Sequence, residues 1–211
     1  MKMEDLVNAV IEGDASLVNR LVVQGLDEGL DATTILSEGL TPGMSTVGDL
    51  FQRGDYFLPE MLFSAKAMTG GLEHIEPILS TSGSNALATI VLGTVKGDLH
   101  DIGKNIVAMI MKGAGFKVID LGVDIPAERF VEAVSETKAD ILALSALLST
   151  TMPAMANTVK AIAESGIKDQ VKIIIGGAPV TSKFAKEIGA DGYAKDAPGA
   201  VNKVKELLKL S

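Results

Sequence analysis

The chain has 211 residues, 47% of them hydrophobic, so it is long enough for one or two domains with a substantial core. It contains no cysteine, which excludes disulfide bonds, a thiolate nucleophile and a cysteine-ligated metal and favours a cytoplasmic protein. The formal net charge is −8, only 4% of the residues are aromatic, and no apolar run approaches the ~20 residues of a membrane span, so neither nucleic acid nor a membrane is an expected partner.

The N-terminal part of the chain, residues 1–84, is predicted to be a bundle of four helices. Asp14 and Asp31 can each cap a helix, because a carboxylate accepts hydrogen bonds from the free amides of the first turn. The third helix is expected to bend or restart near Pro42–Gly43, since proline lacks the amide hydrogen. Pro59 suits the first turn of the fourth helix. Helices joined by short turns are typical of a small bundle.

A short polar segment, Ser80–Asn85, is the predicted linker to a second domain, residues 85–211. Beyond it, short apolar runs alternate with helical patterns, which predicts a five-stranded parallel sheet with helices on both faces. The predicted strands are Thr89–Thr94, Val118–Leu121, Ile141–Ser145, Lys172–Ile175 and Gly192–Ala194, and the predicted helices are Asp101–Ala114, Ala127–Thr137, Pro153–Ser165, Ser182–Ile188 and Val201–Leu210.

One of the two histidines lies in the loop that follows the first predicted strand. Asp98 stands two residues before His100, and Gly103 stands three residues after it. In the common five-stranded order, ligands bind at this edge, between the first and third strands. A histidine oriented by a carboxylate is a typical metal ligand, whereas an aspartate that only caps the next helix would leave the same pattern. This spacing by itself leaves both interpretations open.

Two other functions of this fold class are disfavoured by the residues present. The segment Gly97–Asn105 is one residue too long for a Walker phosphate-binding loop, and its aspartates would repel phosphate. A response-regulator receiver would need an aspartate at the end of the third strand, where this chain has Ser145. The pair Gly176–Gly177 after the fourth strand is explained either as a tight turn or, together with Ser145, as a narrow slot for a large ligand.

Three motifs taken together resemble the cobalamin-binding domain of methionine synthase and of methyltransferase corrinoid proteins. They are the D-x-H-x-x-G motif Asp98–Gly103, the S-x-L motif Ser145–Leu147 and the double glycine Gly176–Gly177. The segments Val47–Phe51 and Phe57–Pro59 are similar to the helical cap of the same proteins. The resemblance covers nearly the whole chain and implies an α/β protein with a helical bundle cap followed by a flavodoxin-like, Rossmann-type cobalamin-binding domain.

The resemblance also implies a role for each matching residue. His100 would be the lower ligand of cobalt, Asp98 would accept a hydrogen bond from its other ring nitrogen, and Thr151 would complete the relay where methionine synthase has a serine. Phe51 and Leu58 would cover the upper face of the corrin. Ser145, Leu147, Gly176 and Gly177 would form the slot for the nucleotide tail. The other implied corrinoid contacts are Gly97, Asp101, Ile102, Gly103, Ser149, Ala178, Tyr193 and Ala194.

The implied function is that of a methyl carrier without catalytic activity of its own. A substrate:corrinoid methyltransferase would methylate cob(I)alamin, and a methylcorrinoid:acceptor methyltransferase would move the methyl group from methylcobalamin to tetrahydrofolate or a thiol. Methanol, a methylamine or a methyl ether is the expected donor, and a corrinoid reductive activase would rescue cob(II)alamin. The alternatives are the small subunit of an adenosylcobalamin mutase, which usually lacks the cap, and a cobalamin-dependent sensor, which would need a signalling module.

Overall fold

The computed structural model describes residues 1–81 and 86–210 of the chain. These residues form two compact units, one of Met1–Leu87 with Lys112–Gly115 and one of Ala88–Met111 with Phe116–Ser211. The last helix of the first unit continues through Thr81, two residues into the predicted linker. The remaining linker residues, 82–85, lie outside the described residues, and so does the domain boundary predicted between 84 and 85.

The first unit is helical, as predicted. Asp14 accepts a 2.9 Å hydrogen bond from the Leu17 amide, and Asp31 accepts bonds from the amides of Thr33 and Thr34, so both capping predictions are confirmed. The elements are α1 Met3–Ile11, α2 Ala15–Asp27, α3 Ala32–Thr34, a π-helical segment Ile35–Leu40, α4 Thr41–Arg53 and α5 Leu58–Thr81.

A π-helical segment marks the restart that was predicted near Pro42. The proline ring would collide with the carbonyl four residues earlier in a regular α-helix. The wider turn before Pro42 avoids that collision, and the Thr41 amide bonds instead to the carbonyl of Leu36, five residues back. Below this helical run, the buried core includes Leu6, Val10, Val18, Val22, Ile35, Leu40, Val47, Met61, Met68 and Ile75.

The second unit is a five-stranded parallel sheet in the order β2-β1-β3-β4-β5, which confirms the flavodoxin-like prediction. Its strands are β1 Thr89–Thr94, β2 Lys117–Asp120, β3 Ile141–Ser145, β4 Lys172–Gly176 and β5 Gly192–Ala194. Its helices are α6 Ile102–Gly113, α7 Ala127–Thr137, α8 Met152–Glu164, α9 Ser182–Ile188 and α10 Ala197–Leu208. In the part of the chain described, no helix is long and apolar enough to cross a membrane.

Several predicted boundaries are wrong by one residue, at β2, β4, α6 and α8, and the start of α10 is wrong by more. The β2 strand begins and ends one residue earlier than predicted. Helix α10 begins four residues before the predicted Val201, because Asp196 accepts a 2.8 Å bond from the Gly199 amide and Pro198 occupies the first turn.

The strand register determines which loops meet. Thr94 of β1 pairs with Ser145 of β3, Ser145 with Gly176 of β4, and Gly176 with Ala194 of β5. These four residues therefore form a row along the carboxyl edge of the sheet. The loops after β1 and β3 leave this edge side by side, at the point where the strand order reverses.

Candidate functional site

The loop after β1 begins with a tight turn. The Asp98 amide donates to the carbonyl of Val95 at 3.1 Å, and Gly97, the third residue of the turn, has φ +84°. A type II β-turn requires a positive φ at this position, which glycine adopts without a steric cost. The turn reverses the chain directly at Asp98 and directs its side chain into the protein.

The Asp98 carboxylate is fully buried and contacts His100 through one of its two oxygens. Its Oδ1 lies 2.7 Å from Nδ1 of His100 and also accepts the His100 amide at 3.1 Å. A carboxylate acceptor fixes the proton on Nδ1 and leaves Nε2 with a free lone pair. The His100 side chain is half exposed, so the ring is held on one side and open on the other.

The other oxygen of Asp98, Oδ2, is held by the loop after β3. It accepts the Leu147 amide at 2.8 Å, the Leu148 amide at 3.3 Å and the Thr151 hydroxyl at 2.7 Å. Burial alone would raise the pKa of Asp98, but the hydrogen bonds from Thr151, His100 and the Leu147 and His100 amides outweigh it and hold the pKa well below its usual range. The carboxylate is therefore ionised at neutral pH.

The one free nitrogen of His100 suits a metal ion that is already coordinated by a macrocycle. His100 offers one lone pair, and in residues 1–81 and 86–210 no group of three or more His, Cys, Asp or Glu side chains could hold a metal ion. A bare divalent ion needs four or more protein or water ligands. The cobalt of a corrinoid already has its equatorial ligands, so a single imidazole fits it.

Large apolar side chains near this histidine are exposed to solvent. Leu99 is 72% exposed and Ile102 77% exposed on either side of His100, and Leu147 and Leu148 are 43% and 42% exposed in the facing loop. Exposed apolar side chains grouped in this way mark an interaction surface, for a ligand or for a partner protein.

Gly103 adds a second sign of a ligand at the start of α6. A Cβ atom built on Gly103 would meet no atom within 4 Å, and the backbone there does not need a positive φ. A glycine in a helix costs about 1 kcal/mol relative to alanine. Neither the conformation nor the packing of the chain explains that cost, whereas a ligand close to the backbone would.

The double glycine has a structural explanation at one of its two positions. Gly177 has φ +127°, and a Cβ atom there would lie 1.9 Å from the carbonyl oxygen of Ala146. The tight-turn interpretation therefore accounts for Gly177. At Gly176 a Cβ atom would lie 3.0 Å from the carbonyl oxygen of Ala194, a close approach that a small shift could relieve.

The remaining predicted residues fall into two groups. The first group belongs to the α/β unit. In it, Ser145, Gly176 and Ala194 lie in the row at the sheet edge, and Ser149 and Ala178 are exposed in the adjoining loops. Tyr193 is partly buried, and Asp101 accepts a 3.2 Å hydrogen bond from the Asn105 side chain. Phe51 and Leu58 belong to the first unit, where Phe51 of α4 is partly buried and Leu58, the first residue of α5, is 46% exposed.

The structure also shows contacts that the sequence did not predict. The amides of Leu147 and Leu148 bind Asp98, although any residue type could supply these backbone groups. Asp124, in the loop after β2, binds the backbone on both sides of the Gly97–Asp98 peptide. Lys104 is buried and contacts Asp120.

Comparisons with known proteins point to one family. Two family models, both described as a B12 binding domain, match residues 3–76 and residues 88–202. The chain is 44% identical over 207 residues to dimethylamine corrinoid protein 1 of Methanosarcina acetivorans, covering 98% of this chain and 97% of that protein.

Two solved structures are similar over the whole chain. A cobalamin-binding protein from Desulfitobacterium hafniense has a TM-score of 0.80 at 30% identity and covers 100% of this chain and 99% of its own. A chain of the methanol:cobalamin methyltransferase complex from Methanosarcina barkeri has a TM-score of 0.83 at 31% identity, with 99% of this chain and 78% of that chain covered.

Proposed function

The chain belongs to the B12-binding corrinoid protein family and its cofactor is a corrinoid, and we propose that it carries a methyl group on this cofactor between two methyltransferases. The observation that carries the proposal is the buried Asp98 carboxylate, 2.7 Å from Nδ1 of His100 on one side and 2.7 Å from the Thr151 hydroxyl on the other. Such a carboxylate, together with a half-exposed ring, prepares one nitrogen for a metal.

When bound, the corrinoid supplies a cobalt ion that accepts a methyl group and releases it again. In our proposal His100 binds that cobalt through Nε2. Asp98 keeps the proton on Nδ1, because its Oδ1 accepts from that nitrogen and from the His100 amide. The negative charge of Asp98 makes the imidazole a stronger donor. Thr151 holds Asp98 from the opposite side.

Thr151 has two acceptors for one proton. Its Oγ1 lies 2.7 Å from Asp98 Oδ2 and 2.9 Å from the carbonyl oxygen of Leu148. The hydroxyl can therefore turn from the carboxylate to the carbonyl without losing a hydrogen bond. We propose that this freedom lets the relay adapt when the charge on the imidazole changes, which a residue with one acceptor could not do.

The nucleotide tail of the corrinoid is proposed to enter the sheet edge beside β3 and β4. Ser145, Leu147, Gly176 and Gly177 would line its path, with Ala178, Tyr193 and Ala194 at its far side. Support comes from the row of edge residues in register and from the small side chains at 176–178. Ser149, Gly97, Asp101, Ile102 and Gly103 are proposed contacts of the corrin ring.

The partners are proposed from the printed names of the relatives. We propose a methylamine as the first donor to test, because the dimethylamine corrinoid protein is 44% identical, and methanol as the second, because the chain of the methanol complex is 31% identical. The acceptor enzyme would use tetrahydrofolate or a thiol, and a reductive activase would complete the cytoplasmic system.

The experiment is reconstitution. The protein is loaded with cobalamin, desalted and reduced to the cobalt(II) form, and its electron spin resonance spectrum is expected to show hyperfine splitting from one axial nitrogen. The loaded protein is then offered a dimethylamine or a methanol methyltransferase with the matching donor, and the methylated form is recorded by its visible spectrum. A protein that stays colourless after desalting contradicts the proposal, and native adenosylcobalamin would instead favour the mutase or sensor alternatives.

A further inference from the structure

The loop between β2 and α7 contains a residue in an unusual conformation. Three non-glycine residues among those described have positive φ, and two of them, Lys138 and Lys209, simply end helices α7 and α10. The third, Asp124, has φ +56° and lies at no helix end. A left-handed conformation is uncommon for any residue with a side chain, although aspartate adopts it more readily than most, and residues in unusual backbone conformations cluster at functional sites.

Asp124 binds both ends of one short stretch of the histidine loop. Its Oδ1 accepts the Gly97 amide at 2.8 Å, and its own amide donates to the carbonyl of Asp98 at 3.0 Å. The left-handed conformation is what lets the amide and the side chain of one residue face the same two-residue unit. The Gly97 amide, followed by Lys96, holds the pKa of Asp124 below its usual range, so the acceptor is ionised at neutral pH.

The side chain of Asp98 makes one bond to the backbone of its own loop, in which Oδ1 accepts the His100 amide. Its other side-chain partners lie in the loop after β3 or in the His100 ring, while Asp124 binds the amide of Gly97, the preceding residue, and the carbonyl of Asp98 itself. A small rotation of that backbone would move a carboxylate that must meet Nδ1 and Thr151 at 2.7 Å each.

We propose that Asp124 is a positioning residue that fixes the backbone of Gly97 and Asp98 and thereby aims the Asp98 carboxylate at His100. Its significance for the cofactor rests on the proposed function, in which His100 is the cobalt ligand. The part that acts is the Oδ1 acceptor, not the ion pair with Lys96, because that pair is largely exposed and such pairs contribute little.

Four variants separate these contributions. Asp124→Gly keeps the left-handed conformation and removes the acceptor, whereas Asp124→Asn keeps both the conformation and an oxygen for the Gly97 amide. Lys96→Met removes only the ion pair. The matched control is Asp191→Gly, because Asp191 also accepts one backbone amide, from Ile173 at 2.7 Å, and one lysine, from Lys168 at 2.5 Å, but lies at the opposite edge of the sheet.

The readout is available without any cofactor. The chain has only two histidines, so a nitrogen-15 NMR spectrum of the unloaded protein at alkaline pH reports the tautomer of His100 beside that of the exposed His74. Wild type is expected to show His100 protonated on Nδ1. In Asp124→Gly the ratio of the two tautomers should fall about tenfold, because a displaced Asp98 carboxylate makes a weaker charge-assisted hydrogen bond to Nδ1. Asp124→Asn, Lys96→Met and Asp191→Gly should keep the wild-type ratio.

The same variants loaded with cobalamin complete the test. Asp124→Gly should retain the corrinoid with a reduced fraction of nitrogen-ligated cobalt(II), while the others keep the wild-type spin resonance spectrum. An unchanged tautomer ratio in Asp124→Gly overturns the inference, and so does an equal change in Asp191→Gly. If wild type binds no corrinoid yet Asp124→Gly shifts the tautomer, the proposed function fails and the positioning role stands.

Discussion

Replacing Asp98 with asparagine keeps the shape of the side chain and changes one of its two acceptors into a donor. The amide nitrogen must face either His100 or the loop after β3. Facing that loop, it would oppose two backbone amides at once, those of Leu147 and Leu148, while Thr151 can turn to the Leu148 carbonyl. If the asparagine nitrogen faces His100, its only conflict is with the His100 backbone amide, because two donors then face each other. The ring avoids a conflict by moving its proton from Nδ1 to Nε2, so that Nδ1 becomes an acceptor. We expect the second arrangement.

The consequence of that arrangement can be estimated. The part-buried His100 amide loses its acceptor, and the remaining bonds are no longer made to a charge, which together cost about 2–4 kcal/mol. The neutral amide is easier to bury than the carboxylate, which offsets part of that cost. We expect Asp98→Asn to lower the free energy of unfolding by about 2 kcal/mol at neutral pH. It should also weaken nitrogen ligation of cobalt, because Nε2 now carries the proton.

The effect should depend on pH with a definite sign. The folded-state pKa of Asp98 lies below its usual range, so its ionisation stabilises the wild type above the unfolded pKa of roughly 3.9. That contribution is lost as the pH falls through the folded pKa. The difference in stability between wild type and Asp98→Asn is therefore expected to be largest at neutral pH and to shrink toward strong acid.

Urea denaturation at several pH values measures this difference, and spin resonance of the loaded cobalt(II) form measures the ligation. Asp140→Asn is a suitable control, because Asp140 accepts the Thr89 amide at 2.8 Å at the opposite edge of the sheet. If Asp98→Asn matches wild type in stability at neutral pH and keeps full nitrogen splitting, the relay described above is refuted.

The remaining predictions test single positions. His100→Ala should still bind the corrinoid through its tail but lose the axial nitrogen splitting of cobalt(II); unchanged splitting would exclude His100 as the ligand. Gly103→Ala should raise the free energy of unfolding by up to about 1 kcal/mol and weaken corrinoid binding. Gly177→Ala should instead destabilise the unloaded protein by at least about 2 kcal/mol. Urea denaturation measures the stability and cobalamin titration the binding, and equal changes in both variants would contradict the distinction between the two glycines. Replacing Phe51 and Leu58 with alanine should leave binding mostly intact and speed light-driven loss of the methyl group, and an unchanged rate would return both to a purely structural role.

The fold could be predicted from the hydrophobic pattern of the sequence. Alternating apolar runs and amphipathic helices were sufficient for the parallel sheet, and the carboxylates of Asp14 and Asp31 marked two helix starts. The start of α10 was missed because Asp196 and Pro198, its cap and first-turn residues, precede the first apolar repeat of the helix. The π-helical segment leaves no pattern of its own, although Pro42 pointed to the place.

The candidate site was predictable where it depends on residue type. Asp98 and His100 are close in sequence, and their contact needed only a loop at the sheet edge. The amides of Leu147 and Leu148 were not predictable, because every residue except proline carries the same donor. Asp124 was missed for another reason: its importance lies in a backbone conformation and in a partner 27 residues away in the chain. Gly177 was noticed, but only the carbonyl of Ala146 shows that the turn itself requires glycine there.

The partners of Asp98 also bear on how the protein folds. Its contacts with the loop after β3 span 49 to 53 residues of chain, so closing them requires β3 to be in place beside β1. Contacts of such separation form late, since the entropy of closing the intervening loop must be overcome first. During synthesis, Asp98 and His100 leave the ribosome well before Leu147, Leu148 and Thr151, which hold the Asp98 carboxylate. We therefore expect the orientation of the ring to be acquired only after the α/β unit has folded, so that the capacity to ligate cobalt marks a finished fold.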